Sequence, residues 1–264
     1  MSEDALFCLR VRYVETGRLK YLSHLELLRA LERTIRRSGV PFAVTQGFHP
    51  RIKVAYGPAL PVGVASTSEW FDLWVRAYKP AEEYLAQLRG AAPVDLAPQE
   101  AAYVDLKSPS LSAALTLATW EVELAPWETA GSQDGPCALD APRLQAAFDA
   151  VLARGGIEYL RSGKPRRVEL AGKFAQVPVA SPLGRDGCGA RVSFTTRSSN
   201  EGALRPDVLM GAVIAQLAES SKAAAERWAC AADPVVSFKR CMRTDVVRTA
   251  QYLEGDDGTW LRPI

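Results

Sequence analysis

The sequence predicts an α+β fold in which the element order β-α-β-β-α-β occurs twice along the 264 residues. Stretches of alternating apolar residues, typical of strands, flank stretches with apolar residues every three or four positions, typical of helices. This element order is characteristic of ferredoxin-like folds. We therefore expect two tandem ferredoxin-like (βαββαβ) lobes with antiparallel sheets, at residues 1–109 and 110–253, followed by a tail at 254–264.

The first lobe begins with a strand at 7–14, whose odd-numbered residues are apolar. Arg10 and Arg12 lie on the opposite face, because successive side chains of a strand point to opposite sides. The other predicted elements of this lobe are a helix from His24, strands at 42–45, 52–56, 70–75 and 94–106, and a helix at 81–89.

The helix from His24 has the clearest boundaries in the chain. Ser23 and Glu26 have the spacing of a capping box, in which each side chain bonds the backbone N–H of the other residue. Gly39 and Pro41 predict the end of the helix, since glycine suits a left-handed cap and proline cannot continue a helix.

The second lobe repeats the order after a boundary near residues 107–112. We predict a strand at 115–124, a loop at 128–141, a helix from Pro142, strand material within 166–179, a turn at 181–190, a strand at 192–196, a helix from Pro206 and a strand at 235–240. The two halves share no obvious sequence repeat, so the duplication rests on element order alone.

Composition is that of an ordinary soluble globular protein, with 48% hydrophobic and 23% charged residues. No apolar run approaches the roughly 20 residues of a membrane-spanning helix. The acidic N-terminus lacks the pattern of a signal peptide. We expect a cytoplasmic protein with no membrane partner.

The five cysteines are scattered singly, at Cys8, Cys137, Cys188, Cys230 and Cys241. Without a CxxC pair, neither a disulfide framework nor a zinc ribbon is indicated. An iron–sulfur cluster requires several closely placed thiolates, and the sequence has no such group. The only two histidines, His24 and His49, make a poor metal site, so we expect no cofactor and no metal.

Charge is unevenly distributed although the net charge is only +2. Residues 1–56 carry a net +5, residues 57–140 a net −8 and residues 141–264 a net +5. Basic segments attract phosphate backbones. The alternative is that the basic and acidic segments pair with each other.

A long ordered set of residues lies within 21–63 and comprises Tyr21, Leu22, Ser23, His24, Leu25, Leu27, Arg29, Pro41, Gln46, Gly47, Phe48, His49, Pro50, Arg51, Lys53, Leu60, Pro61, Val62 and Gly63. This set resembles the DUF2344 family, a domain linked to radical-SAM proteins and often fused to or encoded beside one. Ile52 and Val54 depart mildly from the family pattern. The resemblance implies an accessory domain with a radical-SAM protein as its partner, and it implies no activity of its own. Without a cysteine triplet, the chain is not itself expected to be a radical-SAM enzyme.

Cations within this stretch form the first candidate RNA- or phosphate-binding set. An anion could lie between the N-terminus of the helix and the loop at 49–53. The candidate residues are Arg18, Lys20, Arg29, Arg33, His49, Arg51 and Lys53. The alternative is a structural loop whose basic residues are simply solvated.

A second basic cluster lies in the other lobe, at Arg161, Lys164, Arg166 and Arg167. It would extend a nucleic-acid contact onto that lobe, unless it is a solvated hairpin turn. The sheet face of the first lobe is a further possibility, because Arg10 and Arg12 would share it with Trp70 and Trp74, and such faces bind RNA in RNA-recognition modules. Alternatively, the tryptophans are buried between packed sheets.

These observations lead to three hypotheses for function. The first is a non-catalytic RNA-binding accessory protein that presents a structured RNA, a tRNA or rRNA, to a radical-SAM modification enzyme. The second is a docking module for the radical-SAM partner that contacts no RNA. The third is a metal-independent endoribonuclease in which His24 and His49 act as acid and base.

Overall fold

The computed structural model describes residues 6–126, 139–184, 189–198, 202–220 and 242–264. The predicted strand at 235–240, most of the loop at 128–141, and Cys137, Cys188, Cys230 and Cys241 lie outside these residues. Within them, no helix has the length and apolar character needed to cross a membrane.

Strands and helices alternate along the chain. The strands are β1 (Phe7–Glu15), β2 (Val54–Tyr56), β3 (Ala65–Val75), β4 (Pro98–Val104), β5 (Leu117–Pro126), β6 (Gly156–Arg161), β7 (Lys164–Glu169), β8 (Phe174–Pro182), β9 (Ala190–Arg197), β10 (Met242–Glu254) and β11 (Trp260–Leu261). The helices are α1 (His24–Arg37), α2 (Ala81–Ala91), α3 (Leu111–Ala114), α4 (Ala141–Ala153) and α5 (Pro206–Ser220), with short 3₁₀ helices at Leu19–Tyr21 and Val94–Leu96.

The chain forms two compact units. Unit 1 comprises Met1–Leu117 and Val247–Ile264, and unit 2 comprises Ala118–Val246. Residues 247–264 therefore belong to unit 1, whereas the predicted boundaries place them in the second lobe and the tail.

The sheet of unit 1 has the strand order β4-β1-β3-β2, and each of these neighbouring pairs is antiparallel. The later part of β10 runs parallel to the start of β3, with Val247 opposite Ala65. One sheet face packs on α1 and α2. Its buried side chains include Leu9, Val11, Leu27, Leu31, Ile35, Phe71, Leu73, Tyr84 and Leu88.

The other face of this sheet carries a smaller core around Trp70, which packs with Leu111 and Leu115. The last residues of the chain also lie here, since β11 pairs with the end of β10 and the Pro263 carbonyl accepts a hydrogen bond from Arg10. The segment after residue 254, which the sequence indicated only as a tail, is thus held by strand pairing and by a buried arginine.

In unit 2, the strand order is β5-β9-β8. The buried residues of its strands and of α4 and α5 include Val122, Leu144, Phe148, Val192, Phe194, Leu209, Val213 and Leu217. Strands β6 and β7 form a separate two-stranded antiparallel ribbon. The ribbon is therefore separate from the sheet formed by β5, β8 and β9.

The prediction of a mixed α+β fold with a mostly antiparallel sheet is confirmed. The finer prediction of two ferredoxin-like lobes stays a prediction. Some boundaries differ: residues 42–45 make only isolated bridges, and residues 94–96 form a 3₁₀ helix before β4 begins. Strand β10 was not predicted, because its polar residues do not alternate regularly with its apolar ones.

Candidate nucleic-acid interface

The predicted capping box at the start of α1 is present. The Ser23 hydroxyl accepts a hydrogen bond from the Glu26 backbone N–H, and the Glu26 carboxylate accepts one from the Ser23 N–H at 2.9 Å. The hydrogen bond from the Ser23 hydroxyl, at 2.7 Å, lowers the pKa of Glu26. A carboxylate therefore already caps this N-terminus, which leaves it less suited to an external anion than the sequence suggested.

Arg18 and Lys20 precede α1 and differ in their surroundings. The Arg18 side chain is exposed, whereas the Lys20 ammonium lies 5.3 Å from the centre of the Tyr21 ring. The Lys20 carbonyl accepts a hydrogen bond from the Gly63 N–H at 2.7 Å, which joins this segment to the family motif at Pro61–Gly63.

The outer face of α1 is basic because its inner face supplies the core. Leu27, Leu31 and Ile35 are buried, and the exposed cations are Arg29, Arg33, Arg36 and Arg37. Arg36 lies over the Phe42 ring, and Arg37 donates a hydrogen bond to the Ala91 carbonyl. Among the described residues, no carboxylate lies within 4.0 Å of the Arg29 or Arg33 guanidinium. These two cations, one helical turn apart, are therefore available to an anionic partner.

The loop of the family motif is a short hairpin. The Thr45 N–H donates to the Arg51 carbonyl at 2.8 Å, and the Arg51 N–H donates to the Thr45 hydroxyl at 3.1 Å. His49 and Arg51 are exposed at its tip, and the Phe48 side chain is completely exposed, at 103%. The tip thus exposes the Phe48 ring and the nitrogen atoms of the His49 and Arg51 side chains to solvent.

Lys53 lies away from this tip. Its ammonium is 5.0 Å from the centre of the Trp74 ring, and it lines a cleft of about 420 Å³ with Arg76 and Gln46. The loop residues of the sequence prediction therefore divide into an exposed pair, His49 and Arg51, and a partly covered Lys53.

The sheet face around Arg10 is closed. Arg10 is 3% exposed and makes two hydrogen bonds to the Asp72 carboxylate, at 2.8 and 2.9 Å, and a third to the Pro263 carbonyl. Trp70 is 2% exposed. The expected face with Arg10 and Trp70 exposed to RNA is covered, because α3 and the C-terminal residues pack over it.

A buried polar cluster in unit 1 had no signal in the sequence. Arg248 of β10 bonds the Glu69 carboxylate, with 2.7 Å between Nε and Oε1, and also donates to the Pro58 carbonyl. Glu15 lies close by, and one of its carboxylate oxygens has no hydrogen-bond partner among the described residues. Burial, and then the negative charge of Glu69, raise the pKa of Glu15 to about 8. These residues are far apart in sequence, so only the strand pairing brings them together.

In unit 2, the second basic cluster lies on the β6–β7 ribbon. Arg161, Lys164 and Arg166 are exposed, and no carboxylate among the described residues lies within 4.0 Å of their charged groups. Arg167 differs, since it forms ion pairs with Glu169 at 2.7 Å and with Glu158 at 3.5 Å. The hydrogen bond to Glu169 raises the pKa of Arg167. Within the described residues, three of the four predicted cations are thus without a carboxylate partner.

His24 and His49 are both exposed, one in the first turn of α1 and the other at the tip of the loop. No hydrogen bond joins the two imidazoles in the part of the chain that the structure describes. An acid–base pair at these positions stays a prediction.

A family model described as "uncharacterized protein conserved in bacteria (DUF2344)" matches residues 8–206. This match covers most of the chain, including the capping box, the motif loop and the β6–β7 ribbon. The chain belongs to the DUF2344 family. No curated protein matches the sequence. The resemblance noted at residues 21–63 is therefore confirmed, and α1 with its following loop is part of the DUF2344 domain.

Proposed function

We propose that this DUF2344 protein is a non-catalytic RNA-binding accessory protein that works with a radical-SAM enzyme in tRNA or rRNA modification. The observation that supports it best is the set of exposed cations without a carboxylate partner among the described residues. These are Arg18, Arg29, Arg33 and Arg51 in unit 1, and Arg161, Lys164 and Arg166 in unit 2. Lys20, His49 and Lys53 complete the proposed contacts.

Unpaired cations favour a phosphate-bearing partner because the chain neutralises arginines elsewhere. Arg10, Arg191 and Arg248 each bond a carboxylate on a neighbouring strand. Arginines whose charges remain uncompensated at exposed sites suit phosphate, which accepts two parallel hydrogen bonds from one guanidinium. The proposed RNA-binding cations lie in loops, on a helix surface and on a ribbon. This distribution suits contact with the irregular surface of a structured RNA.

The proposed lobes are ferredoxin-like, and the order β4-β1-β3-β2 with antiparallel pairs in unit 1 supports this. RNA-recognition modules bind RNA on the sheet face opposite their helices. Here, Arg10 and Trp70 on that face are buried. We therefore place the RNA contacts on the loops and the outer face of α1, and not over the centre of the sheet.

The radical-SAM partner and the modification reaction rest on the family resemblance alone. The chain's cysteines are placed singly in the sequence, so the proposal assigns the radical chemistry to a separate protein. The cytoplasmic location also stays part of the proposal.

Binding of the purified protein to total tRNA and to rRNA fragments across a salt series tests this function. Phosphate contacts release counterions, so affinity should fall steeply as salt rises. Arg51→Ala with Lys53→Ala should weaken binding and reduce the salt slope by about one unit per lost contact. An unchanged slope would remove the motif loop from the interface.

A docking module without RNA contact is the second candidate. It is favoured by exposed apolar side chains within the family motif, Tyr21, Leu25 and Val62, each more than 60% exposed. Exposed apolar groups of this size can mark protein contacts. A pull-down of the radical-SAM protein from ribonuclease-treated lysate would distinguish the two candidates, because only direct docking survives the loss of RNA.

A further inference from the structure

A groove runs between the β6–β7 ribbon and α5 within unit 2, with a volume of about 470 Å³. Its α5 side is lined by Asp207, Val208, Gly211, Ala212 and Ala215. Because the last three of these residues are small, a flat ring or a chain of nucleotides can approach the helix closely there. The opposite side is formed by β6 and its turn, with Ile157, Glu158, Tyr159, Leu160, Arg161 and Ser162.

The ribbon's register determines which side chains share a face. Ile157 pairs with Val168, Tyr159 with Arg166, and Arg161 with Lys164. Directly paired residues of antiparallel strands project to the same side, and alternate pairs share a face. Tyr159, Arg161, Lys164 and Arg166 therefore project from one face of the ribbon, together with the buried Ile157. Of this face, Ile157, Tyr159 and Arg161 line the groove, and Glu158 and Leu160 of the other face line it as well, so the β6 edge of the ribbon borders the groove.

The opposite face of the ribbon carries a net negative charge. Arg167 lies there with Glu158 and Glu169, its two ion-pair partners. On the face that carries Tyr159, the cations Arg161, Lys164 and Arg166 have no carboxylate within 4.0 Å among the described residues. Arg205, which also lines the groove, is paired with Asp207. The ribbon thus has one acidic face and one cationic face.

The ribbon is held in this arrangement by its turn. Ser162 and Gly163 both have positive φ, at 51° and 74°, as in a two-residue type I′ hairpin turn. This turn fixes the register, and a one-residue slip would move Arg166 to the acidic face. The cationic face is therefore preorganised.

We propose that the cationic face of the ribbon, with the groove beside it, binds single-stranded RNA, with one base stacked on Tyr159 and the adjacent phosphates contacting Arg161, Lys164 and Arg166. An aromatic ring beside closely spaced cations is the arrangement that single-strand-binding proteins use. A duplex hides the faces of its bases inside the stack, so only an unpaired base can reach Tyr159. The inference rests on the proposed function and specifies the form of RNA that unit 2 contacts.

The test compares a labelled single-stranded 12-nucleotide RNA with a fully paired duplex of the same sequence by fluorescence anisotropy, using the full chain. Tyr159→Ala should weaken binding of the single strand about tenfold, and Tyr159→Phe should retain it, because stacking requires the ring and not the hydroxyl. Wild type should bind the single strand more tightly than the duplex.

Arg166→Ala and Arg167→Ala provide a matched pair, because each removes one positive charge from adjacent positions of one strand. Arg166→Ala should weaken binding several-fold and reduce the salt slope by about 0.7. Arg167→Ala should have the smaller effect. Thermal unfolding midpoints of all variants should match that of wild type, because these side chains are exposed or partly exposed.

The outcomes separate the two proposals. If wild type binds neither of these RNAs and no tRNA or rRNA fragment, the proposed function fails and the groove inference fails with it. If wild type binds tRNA or rRNA fragments but neither of the short RNAs, the groove inference alone is overturned. If wild type binds RNA but Tyr159→Ala binds the single strand as tightly, or the two arginine variants are equally weakened, the groove inference alone is overturned.

Discussion

Arginines of the unit 1 sheet and cations of the β6–β7 ribbon use the same chemistry in opposite ways. Arg10 and Arg248 are each 3% exposed and each bonds a buried carboxylate. Arg161 and Arg166 are exposed and unpaired within the described residues. The difference teaches that a carboxylate on the neighbouring strand, and not the arginine itself, determines whether the cation stabilises the fold or is available to a ligand.

The largest expected effect comes from the buried pair. Arg248→Met leaves Glu69 and Glu15 in the interior without their cation, so unfolding free energy should fall by about 3–5 kcal/mol. A urea denaturation midpoint measures it. Arg161→Met is the matched control, and it should change stability by less than about 0.5 kcal/mol. Equal losses of stability from the two substitutions would contradict the proposed difference between the buried arginines and the exposed ribbon cations.

The same interior cluster predicts a pH dependence. Since the pKa of Glu15 rises from its ordinary 4.5 to about 8, the folded chain keeps a proton that the unfolded chain releases between these values. Stability should therefore fall as pH rises from about 5 to 8, by up to about 1.4 kcal/mol per pH unit.

Glu15→Gln removes this contribution. The variant's stability advantage over wild type should grow with pH across the same interval, as measured by urea denaturation at a series of pH values. Other titrating groups cancel in the difference between the two proteins. Parallel stability curves would show that Glu15 ionises normally in the folded chain.

The smallest expected effect on stability comes from an ion pair that is only partly buried. Arg12 lies on the same sheet face as Arg10, but its side chain is 28% exposed and its partner Glu100 is 32% exposed. Because solvent screens such a pair, Arg12→Ala should cost about 1 kcal/mol or less. A loss as large as that of Arg248→Met, in the same urea experiment, would mean that pairing and not burial sets the cost.

Local signals allowed much of unit 1 to be predicted. The capping box at Ser23 and Glu26 and the left-handed Gly39, at φ 73°, lie where the sequence placed them, because both are set by neighbouring residues. The pairing of β10 with β3 could not be predicted, since it joins Arg248 to Glu69 across most of the chain.

The basic β6–β7 ribbon shows how much of the candidate site could be predicted from the sequence. The sequence indicated the cluster from Arg161 to Arg167 but not which cations share a face. Arg166 and Arg167 are adjacent, and only the register set by the Ser162–Gly163 turn assigns Arg166 to the face of Tyr159 and Arg167 to the face of its carboxylate partners. Recognising the Ser-Gly pair as a type I′ turn would have supplied that assignment.

RNA binding is the central claim, and titration of the wild-type protein with labelled tRNA and rRNA fragments from low to physiological salt tests it most directly. We predict micromolar or tighter binding at low salt, with the logarithm of affinity falling linearly and steeply against the logarithm of salt concentration. Absence of binding at low salt would contradict the account, and the exposed motif residues Tyr21, Leu25 and Val62 would then be best explained as a docking surface for a protein partner.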